Sequence, residues 1–170
     1  NTFCAAGGAA ELIAYNILID AFASKGQLVN CESLHSQLRR QGLTPDVYTF
    51  NALMRAALSA GRAERALAYG RLMTARKVAY DATSLTMLTN AHVARHRPLD
   101  ALDAARVAID ASPFEDGLLD QTTCGALLRA CALASASGDD AALRAREEAL
   151  WVVRRSALEA ASKASRRLDR

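Results

Sequence analysis

The chain has 170 residues, 51% of them apolar, with 21 Lys and Arg against 18 Asp and Glu, and only 9 Gly and 3 Pro. Its apolar fraction is too high and its net charge of +3 too small for a disordered chain, and it holds no run of about 18 apolar residues that would read as a membrane span. With 5% aromatics and so few turn formers, an all-β fold is excluded, and the Ala-rich composition favours helices.

Residues 1–11 read as the end of a preceding element. From residue 12 the chain repeats itself: LIAYNILIDAFASKGQLVNCESLHSQLRRQGLTPD (12–46) and VYTFNALMRAALSAGRAERALAYGRLMTARKVAYD (47–81) are both 35 residues long with aligned landmarks. Tyr15 falls over Phe50, Asn16 over Asn51, Leu18 over Leu53, Gly26 over Gly61, Leu38 over Met73 and Asp46 over Asp81. Phe50, Leu53, Met54, Ala57 and Leu58 recur at three and four, Gly61 breaks the pattern, and Ala66, Leu67, Tyr69 and Met73 start a second stripe. Each copy is therefore a helical hairpin, with glycine at the turn and Thr44-Pro45 closing the first copy.

A third copy covers 82–120, with Leu85, Leu88 and Ala91 continuing the first-helix stripe and HRPLDALDAARVA supplying the second helix. It reaches Asp120 after 39 residues, an insertion of about four that fits best around Ser112–Gly117. A degenerate fourth copy begins at QTTCGALLRACA (121–132), with Gly125 where the other copies have Asn16, Asn51 and Thr86. After Ser135 to Gly138, the stretch from Asp139 to about Arg167 lacks Pro and Gly and is predicted to form a long C-terminal capping helix with a basic end. A lone hairpin cannot cover its own apolar face, so neighbouring copies must stack into an all-α solenoid.

Charge is unevenly shared among these segments. Residues 1–46 carry −1, 47–81 carry +4, 82–120 carry −3 and 121–170 carry +3. Contact with phosphate is permitted by this pattern without being demanded by it. Cys4, Cys31, Cys124 and Cys131 fit neither a paired CxxC zinc arrangement nor a dense disulfide framework, and read as reduced core thiols of an intracellular protein.

The repeat length and the strings YNILIDAFASKGQ…LHSQLRRQGLTPD and TFNALMRAALSAGRAERALAYGRLM resemble the pentatricopeptide repeat family, clearly over 12–120 and loosely over 121–150. That resemblance implies a right-handed α-solenoid of helix-turn-helix repeats in which each unit presents one RNA base to its fifth and final residues while its second residue wedges between bases. Carried over, the pairs are Asn16 with Asp46, Asn51 with Asp81, and Thr86 with Asp120, and the wedges are Ile13, Tyr48 and Thr83. In the family's scheme Asn with Asp is similar to a uracil pair and Thr with Asp to a guanine pair, so the implied word is U-U-G. A short amide or hydroxyl in the first turn of a helix can meet the Watson–Crick edge of an unstacked base, which is chemically sound for single-stranded RNA. Arg55, Arg154, Arg155, Arg166 and Arg167 are candidate phosphate contacts.

Three readers are few. Stacking contributes roughly 1–3 kcal/mol per base, while association costs an estimated 4–15 kcal/mol before affinity appears. The chain is accordingly expected to work beside neighbours, as a component of a larger ribonucleoprotein such as the mitochondrial ribosome, in a mitochondrion or else a chloroplast. The alternative is a protein-interaction scaffold with the same solenoid and no base-specific contact.

Other constellations carry less. His92 and His96 are spaced four apart, which could place both imidazoles on one helical face, yet no carboxylate or thiol completes a metal set. The acidic residues Asp100, Asp103, Asp110, Glu115 and Asp116 read as a solvated face. No phosphate loop, nucleophile elbow or zinc-protease signature occurs, so no enzyme activity, metal, cofactor, membrane contact or small-molecule substrate is expected.

Overall fold

The computed structural model describes residues 2–111 and 121–136, together with Arg144, Glu147 and Trp151. Seven helices are present among the described residues: α1 (Thr2–Ser24), α2 (Leu28–Arg40), α3 (Val47–Ser59), α4 (Ala63–Ala75), α5 (Ala82–Ala94), α6 (Pro98–Ala111) and α7 (Gln121–Ser135). The second helices of successive hairpins start at 28, 63 and 98, a constant step of 35, and the first helices at 47 and 82 keep that step. α1 runs without a break through residues 11 and 12, where the sequence analysis drew a boundary.

Two compact units divide the chain, one ending at Tyr80 and the other beginning at Asp81. In the first, α1 pairs with α2, α3 pairs with α4, and α3 lies against both α1 and α2. The apolar spacing of three and four explains the core: Ile19, Ala23, Cys31, Leu38, Phe50, Leu53, Met54, Ala57 and Met73 are all fully buried. Burying a side chain the size of Phe50 or Leu53 contributes about 1.5–3 kcal/mol. A polar tie adds to this outside the apolar seam, where the Arg65 guanidinium and the Tyr69 hydroxyl both donate to one Glu32 oxygen, at 2.9 and 3.0 Å. In the second unit α5, α6 and α7 pack mutually around Leu85, Ala91, Leu102, Ala105, Leu127 and Ala130.

The helix ends repeat as regularly as the helices. Gly26, Gly61 and His96 lie one step apart and all take a left-handed conformation (φ 66°, 69° and 56°), as do Gly42 and Lys77 (φ 77° and 57°) at the ends of α2 and α4. At each the next backbone N–H reaches back five residues to a helix carbonyl: Gln27 to Phe22, Leu43 to Leu38, Arg62 to Ala57, Val78 to Met73 and Arg97 to His92. This reassigns His96. It lies beyond the end of α5, at the turn position that glycine fills elsewhere, and it shares no helical face with His92.

Several sequence expectations lie outside the described residues: the insertion around 112–117, Asp120, and Arg154, Arg155, Arg166 and Arg167. Of the capping helix expected over 139–167, the described residues Arg144, Glu147 and Trp151 are helical.

Candidate nucleic-acid interface

The start of α3 builds the clearest site. Asp46 is the N-cap of α3, with extended backbone (φ −104°, ψ −176°), and its carboxylate accepts the Thr49 backbone N–H at 2.9 Å. The Asp46 N–H in turn donates to Thr49 Oγ1 at 3.3 Å, which completes a capping box. The sequence dictates this: proline at 45 disfavours helix before it, and an acidic cap with a hydroxyl three residues on satisfies two of the orphan donors of a helix start.

Asn16, on α1, reaches the same carboxylate. Its Nδ2 donates to Asp46 Oδ1 and Oδ2 at 3.0 and 3.2 Å, while Thr49 Oγ1 donates to Asn16 Oδ1 at 2.6 Å. A carboxylate only accepts, so the amide nitrogen must face Asp46 and the amide oxygen must face Thr49. One N–H and one lone pair of Asn16 then remain for a ligand. The sequence-predicted partners Asn16 and Asp46 are thus brought together, half-buried.

The wedge positions are open to solvent. Ile13 is 59% and Tyr48 69% exposed, and Thr83 is also exposed. Ile13 lies three residues before Asn16, on the same side of α1, and Tyr48 stands beside Thr49 at the start of α3. An apolar side chain and an aromatic ring therefore sit near the polar pair, as base stacking requires.

Asn51 is more enclosed, at 7% exposure. Asp81, its sequence-predicted partner, belongs to the second unit, where it caps α5 by accepting the Ser84 N–H at 2.7 Å and the Ser84 hydroxyl at 2.8 Å. Also in that unit, Thr86 on α5 lies 3.0 Å from the hydroxyl of Thr123 on α7, and Thr123 donates to the Ala82 carbonyl at 3.1 Å. Of the candidate phosphate contacts, Arg55 is described, and its guanidinium forms an ion pair with Asp20 in which both side chains remain about half exposed.

Thr49, Ser84 and Thr123 were missed in the sequence. Each is third in the first helix of its copy, each is fully buried, and each touches a residue that the sequence did single out. The signal was the spacing Asp46-x-x-Thr49, Asp81-x-x-Ser84 and Asp120-x-x-Thr123, a capping-box pattern hidden by assigning the aspartates to bases alone. Among the described residues no cluster of three or more His, Cys, Asp or Glu could hold a metal, and no helix is long and apolar enough to cross a membrane.

Comparisons with known proteins agree with this geometry. The PPR repeat family matches residues 11–59, and the PPR repeat matches residues 48–78. No curated protein matches the chain. Among solved structures, the crystal structure of the pentatricopeptide repeat protein PPR10 in complex with an 18-nt psaJ RNA element is similar, with a TM-score of 0.54 and 24% identity. The likeness covers 83% of this chain and 20% of that one, so this chain spans about a fifth of its neighbour, and the similarity is one of fold. The fold is an all-α repeat solenoid.

Proposed function

We propose that this pentatricopeptide repeat protein, whose matched repeats span residues 11–78, binds single-stranded RNA without catalysing a reaction on it. The observation that carries the reading is the Asn16–Asp46 pair, hydrogen-bonded and flanked by exposed Ile13 and Tyr48. The RNA in the PPR10 complex, bound by a protein of similar fold, supports it. Asn16 offers a donor beside an acceptor, which complements the O4 acceptor and N3–H donor of uracil, while Ile13 and Tyr48 supply apolar surface for base faces. Asn51 with Asp81 and Thr86 with Asp120 would extend the reading to U-U-G, with Thr83 as the third wedge.

The finer setting is an organelle, with a lean to the mitochondrion over the chloroplast, and membership of a ribonucleoprotein such as the mitochondrial ribosome. Three base contacts give too little affinity and information to select a transcript alone, so neighbouring subunits must hold the chain in place. A titration decides the central claim: U-rich RNA should bind more tightly than A-rich RNA, and Asn16→Ala should remove the preference. Equal binding of both RNAs, with the variant indistinguishable from the parent, would leave the protein-scaffold reading standing in its place. Copurification of the endogenous protein, sized by sedimentation, tests the particle: migration as a free monomer would refute it.

A further inference from the structure

Thr49 and Thr123 stand in the same relation to the residue ahead of them. Thr49 contacts Asn16, and Thr123 contacts Thr86, each reaching from the third position of one first helix to the fifth position of the preceding one. Both hydroxyls are buried at 0% exposure, so they cannot touch a base themselves. We infer that Thr49 and Thr123 are positioning residues that fix which atoms of Asn16 and Thr86 donate and which accept, and so which base each reads. This inference rests on the base-reading function proposed above.

The proton arithmetic is specific. Thr123 has one hydroxyl proton, and the Ala82 carbonyl at 3.1 Å can only accept it. The 3.0 Å contact between the two threonine hydroxyls must then use the proton of Thr86. Giving the Thr123 proton to Thr86 instead would leave the Thr123 and Ala82 oxygens facing each other with no hydrogen between them. Thr86, its proton committed, presents lone pairs alone. Guanine offers N1–H and N2–H donors to such an acceptor, whereas the adenine N1 is itself an acceptor and is repelled.

At Asn16 the same device holds an amide. Asp46 takes a proton from Nδ2 and Thr49 gives one to Oδ1, so the side chain is gripped at both ends and cannot turn over. Uracil presents an acceptor then a donor along O4 and N3, and cytosine presents the reverse along N4 and N3. An amide free to flip would serve both equally; one held by Thr49 does not.

The test uses the full chain and short labelled RNAs differing at one base: AAAUUGAAA, AAACUGAAA and AAAUUAAAA. A single hydrogen bond supports a preference of about threefold to tenfold, expected here for U over C at the first read base and for G over A at the third. Thr49→Val should bring the first ratio close to one and spare the second; Thr123→Val should do the opposite. Thr49→Ser and Thr123→Ser, which keep the hydroxyl, should retain both ratios. Valine variants that weaken all three RNAs equally, with both ratios intact, would show a merely structural role and overturn the inference. Parent ratios of one at both bases would bring down base reading itself, and this inference with it. Should the valine variants fail to fold, the parent protein still decides: the two Asn16 side-chain amide protons should give separate, slowly exchanging NMR signals without RNA, and rapid averaging between them would refute the grip.

Discussion

His96 occupies the left-handed turn of its hairpin as Gly61 does one unit earlier, with φ of 56° against 69°. A Cβ in this region costs roughly 1–2 kcal/mol, partly offset by the lower unfolded-state entropy of a non-glycine residue. His96→Gly should therefore stabilise the protein by about 1 kcal/mol, read as a higher urea midpoint at unchanged slope. Gly61→Ala should do the reverse by a similar amount, because nothing lies within 4 Å of an added Cβ and the backbone alone is strained. An unmoved midpoint in both variants would refute the assignment.

Buried His35 makes stability depend on pH. Its ring lies between Phe50 and Tyr69, with centroids 6.2 and 6.4 Å away, and Nε2 has no hydrogen-bond partner among the described residues. Burial holds its pKa below the ordinary 6.5, and the nearby Arg39 and Arg76 charges act in the same direction. The unfolded chain thus takes up the proton more readily than the folded one. Stability should be full above pH 6.5 and fall as pH drops below it, down to the lowered folded-state value. Denaturation midpoints across that window should show a slope that is reduced in His35→Leu. An identical slope in that variant would assign the effect to other groups.

Arg55 tests the phosphate track. Its partner Asp20 is half exposed, so the ion pair itself should contribute little to stability, at most about 1 kcal/mol. Asp20→Asn should release the guanidinium and strengthen RNA binding at low salt, whereas Arg55→Ala should weaken it and reduce the slope of log affinity against log salt by about one. Two parallel salt lines for parent and Arg55→Ala would remove this residue from the interface.

Tyr48 should separate affinity from folding. At 69% exposure its ring supports little of the core, so Tyr48→Ala should leave the melting temperature within about a degree or two. Losing a stacking face should weaken RNA binding by about 1–3 kcal/mol whatever the base. Unchanged affinity would show that the ring does not wedge.

Much of this was legible in the sequence because it depends on periodicity. The 35-residue step, the apolar stripes and the glycines at 26 and 61 are local signals, and Asn16 and Asp46 stood in register before their hydrogen bond was seen. What stayed hidden depends on partners distant in the chain. Thr49 looks like an ordinary helix residue until α1 is laid against α3, and its bond to Asn16 spans 33 positions. His96 was obscured for another reason: its spacing from His92 suggested a shared face, and a helix end is defined by backbone angles that a side chain's identity only biases. The helix running through residues 11 and 12 likewise has no punctuation in the sequence, since backbone hydrogen bonds need no repeat boundary.

Asp46 starts a helix and also holds Asn16. Asparagine serves about as well as aspartate at the first of these tasks but brings an amide to the second. Exchange at this site can therefore rewrite the letter being recognised while the scaffold keeps its strength, leaving such arrays free to drift between targets without passing through unstable ancestors.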